Sequence, residues 1–385
     1  MSKGKIFQTT SRIIRGQGSL GQVADEIIRL KKSRIMIITD PGIVQSGIIG
    51  KLESILAEAK ITYTVYDQIE PDPRLQTAEA AADQLRKSDS DLVIGIGGGS
   101  PIDIAKIASV LATNNDDIRS YIGIDQIPAR GLPTIIIPTT AGTGSEVTPI
   151  VILSDHDEKL KKGIVSSYLL PTVALLDPEL TVGLPANITA ATGMDALIHA
   201  IEAYTSKQAD SITDVLACKA MELLYHNICK VFSDGSDIAA REQMLEGSLL
   251  AGMAFANAGV TAVHAFAYPI GAEFHIPHGV ANSIMLTPVM EFNMIGNHHR
   301  FAAISKIFGN DIQGKSLEES AFLAVDSMRR LTLSLDIPKH LNEFGIDNRH
   351  IAGLAEGVMK VTRLLNNNPR ILTQKDAEEI YKKVL

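Results

Sequence analysis

Asp195 and His199 stand four residues apart in a run, Met194 to Ala203, that contains no helix breaker. In a helix this spacing puts both side chains on one face, a turn apart. A carboxylate and a neutral imidazole so placed can share one cation, and Glu202 can orient an imidazole by accepting its second N–H. Taken alone, such a pair is more often a surface contact. A second cluster changes the reading: of ten histidines in the chain, His264, His275 and His278 fall in a segment that is otherwise apolar and poor in charge. Buried imidazoles without partners cost free energy, so ligation or hydrogen bonding must satisfy them. Together the two clusters read as a site for one divalent metal ion. Asp and imidazole suit Fe(II) or Zn(II), and the lack of thiolates argues against an iron–sulfur or other soft-metal site.

The elements that must position these groups fall in two kinds. From residue 34 to about 180, short β-branched runs (Arg34–Thr39, Ile61–Tyr66, Asp91–Ile96, Thr134–Ile137) alternate with helix-like segments (Ile48–Lys60, Thr77–Lys87, Ile102–Ala112). Strict alternation predicts a mainly parallel sheet covered by helices, an α/β dinucleotide-binding architecture. Beyond Pro185 the β-branched runs fade and Ala, Leu, Met and Glu dominate at helical spacing, as in Asp214–Val231 and Ala239–Ala258, which predicts an all-α second half. Turn formers cluster at Asp177, Pro178, Gly183 and Pro185, so the expected domains are residues 1–184 and 185–385.

The third strand runs into Gly95-Ile-Gly97-Gly98-Gly99-Ser100, and Pro101 opens the next helix. Glycines let a phosphate approach the backbone, and a helix N-terminus offers it free N–H groups. The motif departs from the usual dinucleotide fingerprint, so a tight turn without a ligand stays an alternative. Asp40, at the end of the first strand, can accept hydrogen bonds from ribose hydroxyls and would repel a 2′-phosphate, favouring NAD over NADP. A lone aspartate before Pro-Gly is otherwise a turn initiator. The loop Pro138 to Glu146 interleaves hydroxyls with glycines, as either a ligand-facing loop or a surface turn would.

Composition narrows the function classes. With 45% hydrophobic and 21% charged residues the chain is globular, and 385 residues exceed the size of most single cores. A net charge of −8 disfavours nonspecific nucleic-acid binding. The N-terminus lacks an apolar signal core, no stretch reaches the roughly 20 residues that span a bilayer, and the two cysteines, Cys218 and Cys229, suit a reduced cytoplasmic setting without membrane partners.

Four motifs, in order, carry a resemblance: Gly97–Ser100 with Pro101 and Asp103; Thr139–Glu146; Ala191-Thr-Gly-Met-Asp195 with His199; and His264 with Pro277-His278-Gly279. Over essentially its whole length the chain resembles the iron-containing (group III) alcohol dehydrogenases, related in fold to glycerol dehydrogenases and dehydroquinate synthases. The resemblance implies a Rossmann-like α/β domain followed by an all-α domain, and an oxidoreductase that moves a hydride between NAD(H) and a small primary alcohol or aldehyde. It implies Fe(II), or Zn(II), on Asp195, His199, His264 and His278, with His275 outside the set. NAD contacts carry over to Asp40, Gly97, Gly98, Gly99, Ser100, Thr139, Thr140, Thr148, Lys161 and Leu180, and a homodimer is implied.

Tyr268 stands where many relatives carry a histidine proposed to move the alcohol's proton; a phenol of pKa about 10 is a poor base at neutral pH but can donate a hydrogen bond. Phe255, Phe266 and Tyr268 near the ligands suggest a small, mostly uncharged substrate. Rival readings are a dehydroquinate synthase-like lyase, which needs a basic pocket, a glycerol dehydrogenase-like polyol oxidoreductase, and a nucleotide-sensing protein without turnover, which needs no cation.

Overall fold

The β-branched runs of the first half become parallel strands because they are apolar on both faces and are followed by segments able to cover them as helices. The computed structural model describes residues 4–155 and 160–385, which divide into two compact units, Met1–Gly183 and Leu184–Leu385. In the first unit the strands are β1 (Ile13–Arg15), β2 (Arg34–Ile38), β3 (Thr62–Tyr66), β4 (Leu92–Gly97), β5 (Gly123–Ile124), β6 (Thr134–Pro138), β7 (Ile150–Asp155), β8 (Leu160–Val165) and β9 (Val173–Leu176). Six of them form one sheet in the order β1-β9-β6-β4-β2-β3, every neighbouring pair parallel.

Successive side chains on a strand point to opposite faces, and the core follows that rule. Met36, Ile38, Val93 and Ile136 pack with α4 (Leu75–Lys87) and α5 (Gly99–Leu111) on one face. Ile35, Ile37, Ile94 and Ile135 pack on the other with α1 (Val23–Arg29) and α3 (Ile48–Glu58), while the short α2 (Pro41–Gln45) follows β2. The expected parallel sheet is present, widened by β1 and β9, which are too short to stand out from periodicity. Nor does periodicity reveal the small sheet β5-β8-β7, because Lys161, Lys162 and Gly163 interrupt the apolar pattern of β8.

The second unit is helical: α6 (Ala186–Thr205), α7 (Ser211–Ser233), α8 (Ile238–Ala258), α9 (Ala262–Phe274), α10 (His278–Met294), α11 (His298–Ile307), α12 (Leu317–Ser334), α13 (Ile351–Lys360), α14 (Thr362–Leu365) and α15 (Gln374–Lys382). The buried stretch of α6 runs from Gly193 to Ala203 without an exposed residue, so it is surrounded, by α7, α8 and α10 among others. α9 ends where His275 turns left-handed, and the first turn of α10, with Pro277 at its N-cap, packs on α6. At that contact a Cβ on Gly279 would lie 2.2 Å from the carbonyl oxygen of Ala191, so only glycine fits. Gly279→Ala is expected to cost at least about 1–3 kcal/mol as overpacking, read as a lower urea midpoint at unchanged slope. An unchanged midpoint would contradict this packing.

Candidate active site

Three helices bring the metal-ligand candidates together. From α6 come Asp195 and His199, with relative exposures of 4% and 6%, and from α9 comes His264 at 2%. One ligand atom from each of these three lies within 4.8 Å of the others. His278 opens α10, and its Nε2 is 3.7 Å from Asp195 Oδ1, while His264 Nε2 is 3.6 Å from the same oxygen. The His199 ring stacks between Phe255, at 4.2 Å, and His264, at 4.6 Å between centroids. His275 ends α9 in a left-handed conformation and is exposed.

Glu202, completely buried one turn beyond His199, fixes the His264 ring. One of its oxygens accepts hydrogen bonds from the Thr261 hydroxyl (2.6 Å) and the Val263 N–H (2.7 Å). Its other oxygen meets His264 Nδ1, so Nε2 is the atom turned toward Asp195. Burial alone would raise the Asp195 carboxyl pKa, but His199, His278 and a hydrogen bond from His264 hold it well below the usual range. Burial would lower His264, yet Glu202 and Asp195 raise it to about 9. The two buried carboxylates, Asp195 and Glu202, demand positive charge from their surroundings. One carboxylate and three imidazoles, largely buried and converging, suit a divalent cation with nitrogen and oxygen preferences better than a proton network among imidazoles.

Tyr268 lies one turn beyond His264 on α9, its ring 6.1 Å from that of His278. Burial raises its hydroxyl pKa against the opposing pull of Arg363, from α14, so the phenol keeps its proton at neutral pH. Arg363 was not legible as a neighbour of Tyr268 from spacing, because it joins the site only through the packing of α14 on α9. Phe266 is a correction: it is fully buried, its ring 4.9 Å from Tyr381, and its carbonyl accepts the Tyr381 hydroxyl, so it belongs to the core and not to a substrate pocket.

In the first unit, Gly97 ends β4 at φ 145°, and Gly98 is the N-cap of α5, so the helix begins at Gly99, ahead of Pro101. A Cβ on Gly97 would lie 2.8 Å from Pro101 Cγ and 3.3 Å from Asp40 Oδ2, which places Asp40 at the glycine turn. The other oxygen of Asp40 caps α2 through the Ile43 N–H at 3.1 Å. Thr139 donates its N–H to Gly97 at 2.9 Å, and its buried hydroxyl has no partner among the described residues; Thr140 and Thr143 lie over Gly98 and Gly99. Ser100 is partly exposed in the first turn of α5. Asp40, Gly97–Ser100, Thr139 and Thr140 thus share one end of the sheet.

Three other expected contacts sit differently. Thr148 is buried and its hydroxyl accepts from Lys106 Nζ at 3.3 Å. Lys161 pairs with Asp72 at 2.7 Å, and Leu180 lies in the apolar core beside the sheet. Lys106, also completely buried, donates to Ser145 O, Ser145 Oγ and Ile150 O as well, tying α5 to the loop that carries Thr139 and Thr140.

Two measurements check these contacts. Glu202→Gln sets an amide N–H₂ or a weaker acceptor against His264 Nδ1, and is expected to weaken Zn(II) binding about 10–100-fold by calorimetric titration; equal affinity would mean that Glu202 does not hold the ring. Burial pushes the Glu146 carboxyl up to about 7, well above the usual carboxylate range. Because its folded pKa is raised, the stability it contributes is complete below its unfolded pKa and is lost as pH rises through about 7. The thermal midpoint of Glu146→Gln is therefore expected to climb relative to the parent from about pH 5 to about pH 8; a difference independent of pH would contradict the raised pKa.

Comparison with known proteins agrees with this arrangement. Residues 10–178 match the family model described as iron-containing alcohol dehydrogenase, and residues 189–385 match the C-terminal model of the same family. Long-chain-alcohol dehydrogenase 1 of Geobacillus thermodenitrificans is 41% identical over 379 residues, covering 98% of this chain and 95% of that protein. A crystal structure of 1,3-propanediol oxidoreductase superposes with a TM-score of 0.97 at 35% identity, covering 100% of both chains. Sulfoacetaldehyde reductase from Bifidobacterium kashiwanohense, crystallised in complex with NAD+, superposes with a TM-score of 0.89 at 29% identity over 100% of this chain and 99% of that one. The chain belongs to the iron-containing alcohol dehydrogenase family and is an oxidoreductase.

Proposed function

We propose that the protein interconverts a small primary alcohol and its aldehyde, with NAD(H) as hydride carrier and one Fe(II), or alternatively Zn(II), on Asp195, His199, His264 and His278. The observation that carries this is the buried convergence of Asp195, His199 and His264 with Glu202 behind them. A lyase reading lacks support from the family, and a sensor would have no use for such a set. NAD rather than NADP is supported by Asp40 beside Gly97 and by the NAD+ complex of a relative.

When bound, the cation supplies Lewis acidity to the substrate oxygen and the nicotinamide accepts or returns the hydride. The side chains do the rest. Glu202 would keep one His264 proton on Nδ1, so that Nε2, once its own proton is released, is the atom available to the cation. Phe255, stacked on His199, shields that ring from water. Tyr268, whose pKa is raised, holds its proton and serves as a hydrogen-bond donor, so the proton of the alcohol leaves by another acceptor. In this reading residues 1–184 take the nucleotide through Asp40, Gly97–Ser100, Thr139 and Thr140, with Thr148, Lys161 and Leu180 in supporting positions, and residues 185–385 take the metal and substrate. The enzyme works in the cytoplasm as a homodimer, without nucleic-acid or membrane partners, in keeping with its net charge of −8.

The test is an anaerobic panel of alcohols and aldehydes with NAD(H) and NADP(H), on protein loaded separately with iron and zinc. His264→Ala is expected to lose at least about 100-fold in alcohol-dependent NADH formation, since Lewis-acid stabilisation is worth several kcal/mol. Full activity in that variant would sink the assignment.

A further inference from the structure

We propose that Asn282 is a positioning residue of the cation site, acting through Asp195 and not as a ligand itself. The inference rests on the metal reading above. Asn282 lies one turn beyond His278 on α10 and is completely buried. Its amide nitrogen donates to Asp195 Oδ1 at 2.7 Å and stands 3.2 Å from His264 Nε2 and 3.1 Å from His278 Nε2. One side chain therefore reaches the ligand atoms of α6, α9 and α10 together.

Its carboxamide oxygen, by contrast, is buried without a hydrogen-bond partner among the described residues. A buried carbonyl left unsatisfied is costly, and an apolar residue at this position would avoid the cost. What offsets it is the work of the N–H₂ group. The N–H₂ group stands beside all three ligand atoms, but an imidazole nitrogen has one lone pair and cannot both accept an N–H and ligate, so the bond to Asp195, the shortest, does the positioning and holds the carboxylate in one rotamer beside both histidines. Without that donor, Asp195 is free to turn toward a single imidazole, and the ligand atoms no longer gather about one point. The opposite orientation, with the oxygen facing the cluster, sets a carbonyl against the Asp195 carboxylate at 2.7 Å. That is tolerable only if Asn282 itself ligates the cation, which is the competing outcome.

The experiment titrates Co(II) into the full-length protein and into Asn282→Ala and Asn282→Leu, the second filling the volume without a donor. It reads the dissociation constant, the visible Co(II) spectrum at saturation, and the thermal midpoint before metal is added. The expected result is binding weakened about 10–100-fold in both variants, with the saturated spectrum unchanged in band position and intensity. A dissociation constant within about twofold of the parent overturns the proposal, as does a lowered thermal midpoint with unaltered affinity, which assigns Asn282 to packing alone. A changed saturated spectrum also overturns it, because Asn282 is then a ligand. Absence of stoichiometric Co(II) binding by the parent protein would instead sink the metal reading, so the two failures are distinguishable.

Discussion

A buried carboxylate gripping one nitrogen of a buried imidazole, Glu202 on His264, is the interaction on which the helical unit's site depends. Taking an imidazole and two carboxylates out of water costs several kcal/mol for each uncompensated charge. The fold offsets that cost locally: the Thr261 hydroxyl and the Val263 N–H, both at the start of α9, complete the coordination of Glu202. The same contacts that make Glu202 tolerable also aim His264. Because Glu202 sits on the same face of α6 as Asp195 and His199, the register of one helix sets the acid, the first imidazole and the orienting group at once.

The first unit solves a different problem by similar means. Its glycine turn needs a polar loop held close above it, and the loop needs an anchor that water cannot loosen. Lys106 supplies one from the buried face of α5, with Asp103 accepting from the Ser145 hydroxyl and the Ile152 N–H. Burial lowers the Lys106 ammonium to about 8 against the opposing pull of Asp103 and Glu146, so its charge is retained only because these partners are present.

Much of this was legible in the sequence, and the physical reason differs from residue to residue. Asp195 and His199 could be read because helical spacing is a local property; that imidazoles in an apolar run need partners pointed to His264, His275 and His278 alike, and only the family resemblance set the exposed His275 aside. Asn282 was invisible: a neutral side chain in a helix acquires meaning only once α10 is seated on α6 at Gly279. Phe266 was misplaced for the converse reason, since adjacency to His264 in sequence does not tell which face of α9 turns to Tyr381. Asp40 and the glycines meet as expected because both lie at the C-terminal ends of neighbouring parallel strands. Thr148 and Leu180 have side chains engaged inside the protein, one with Lys106 and the other in the apolar core beside the sheet, placements that sequence position does not reveal. The hairpin of β7 and β8 escaped notice because lysines occupy its partly exposed positions.

X-ray absorption at the iron edge of the anaerobically loaded protein reads the ligand set itself. One iron per chain, surrounded by nitrogen and oxygen with the outer-shell scattering of three imidazoles and no sulfur, is the result this account predicts. Scattering typical of a hydrated ion without imidazole, or any sulfur ligand, would contradict it.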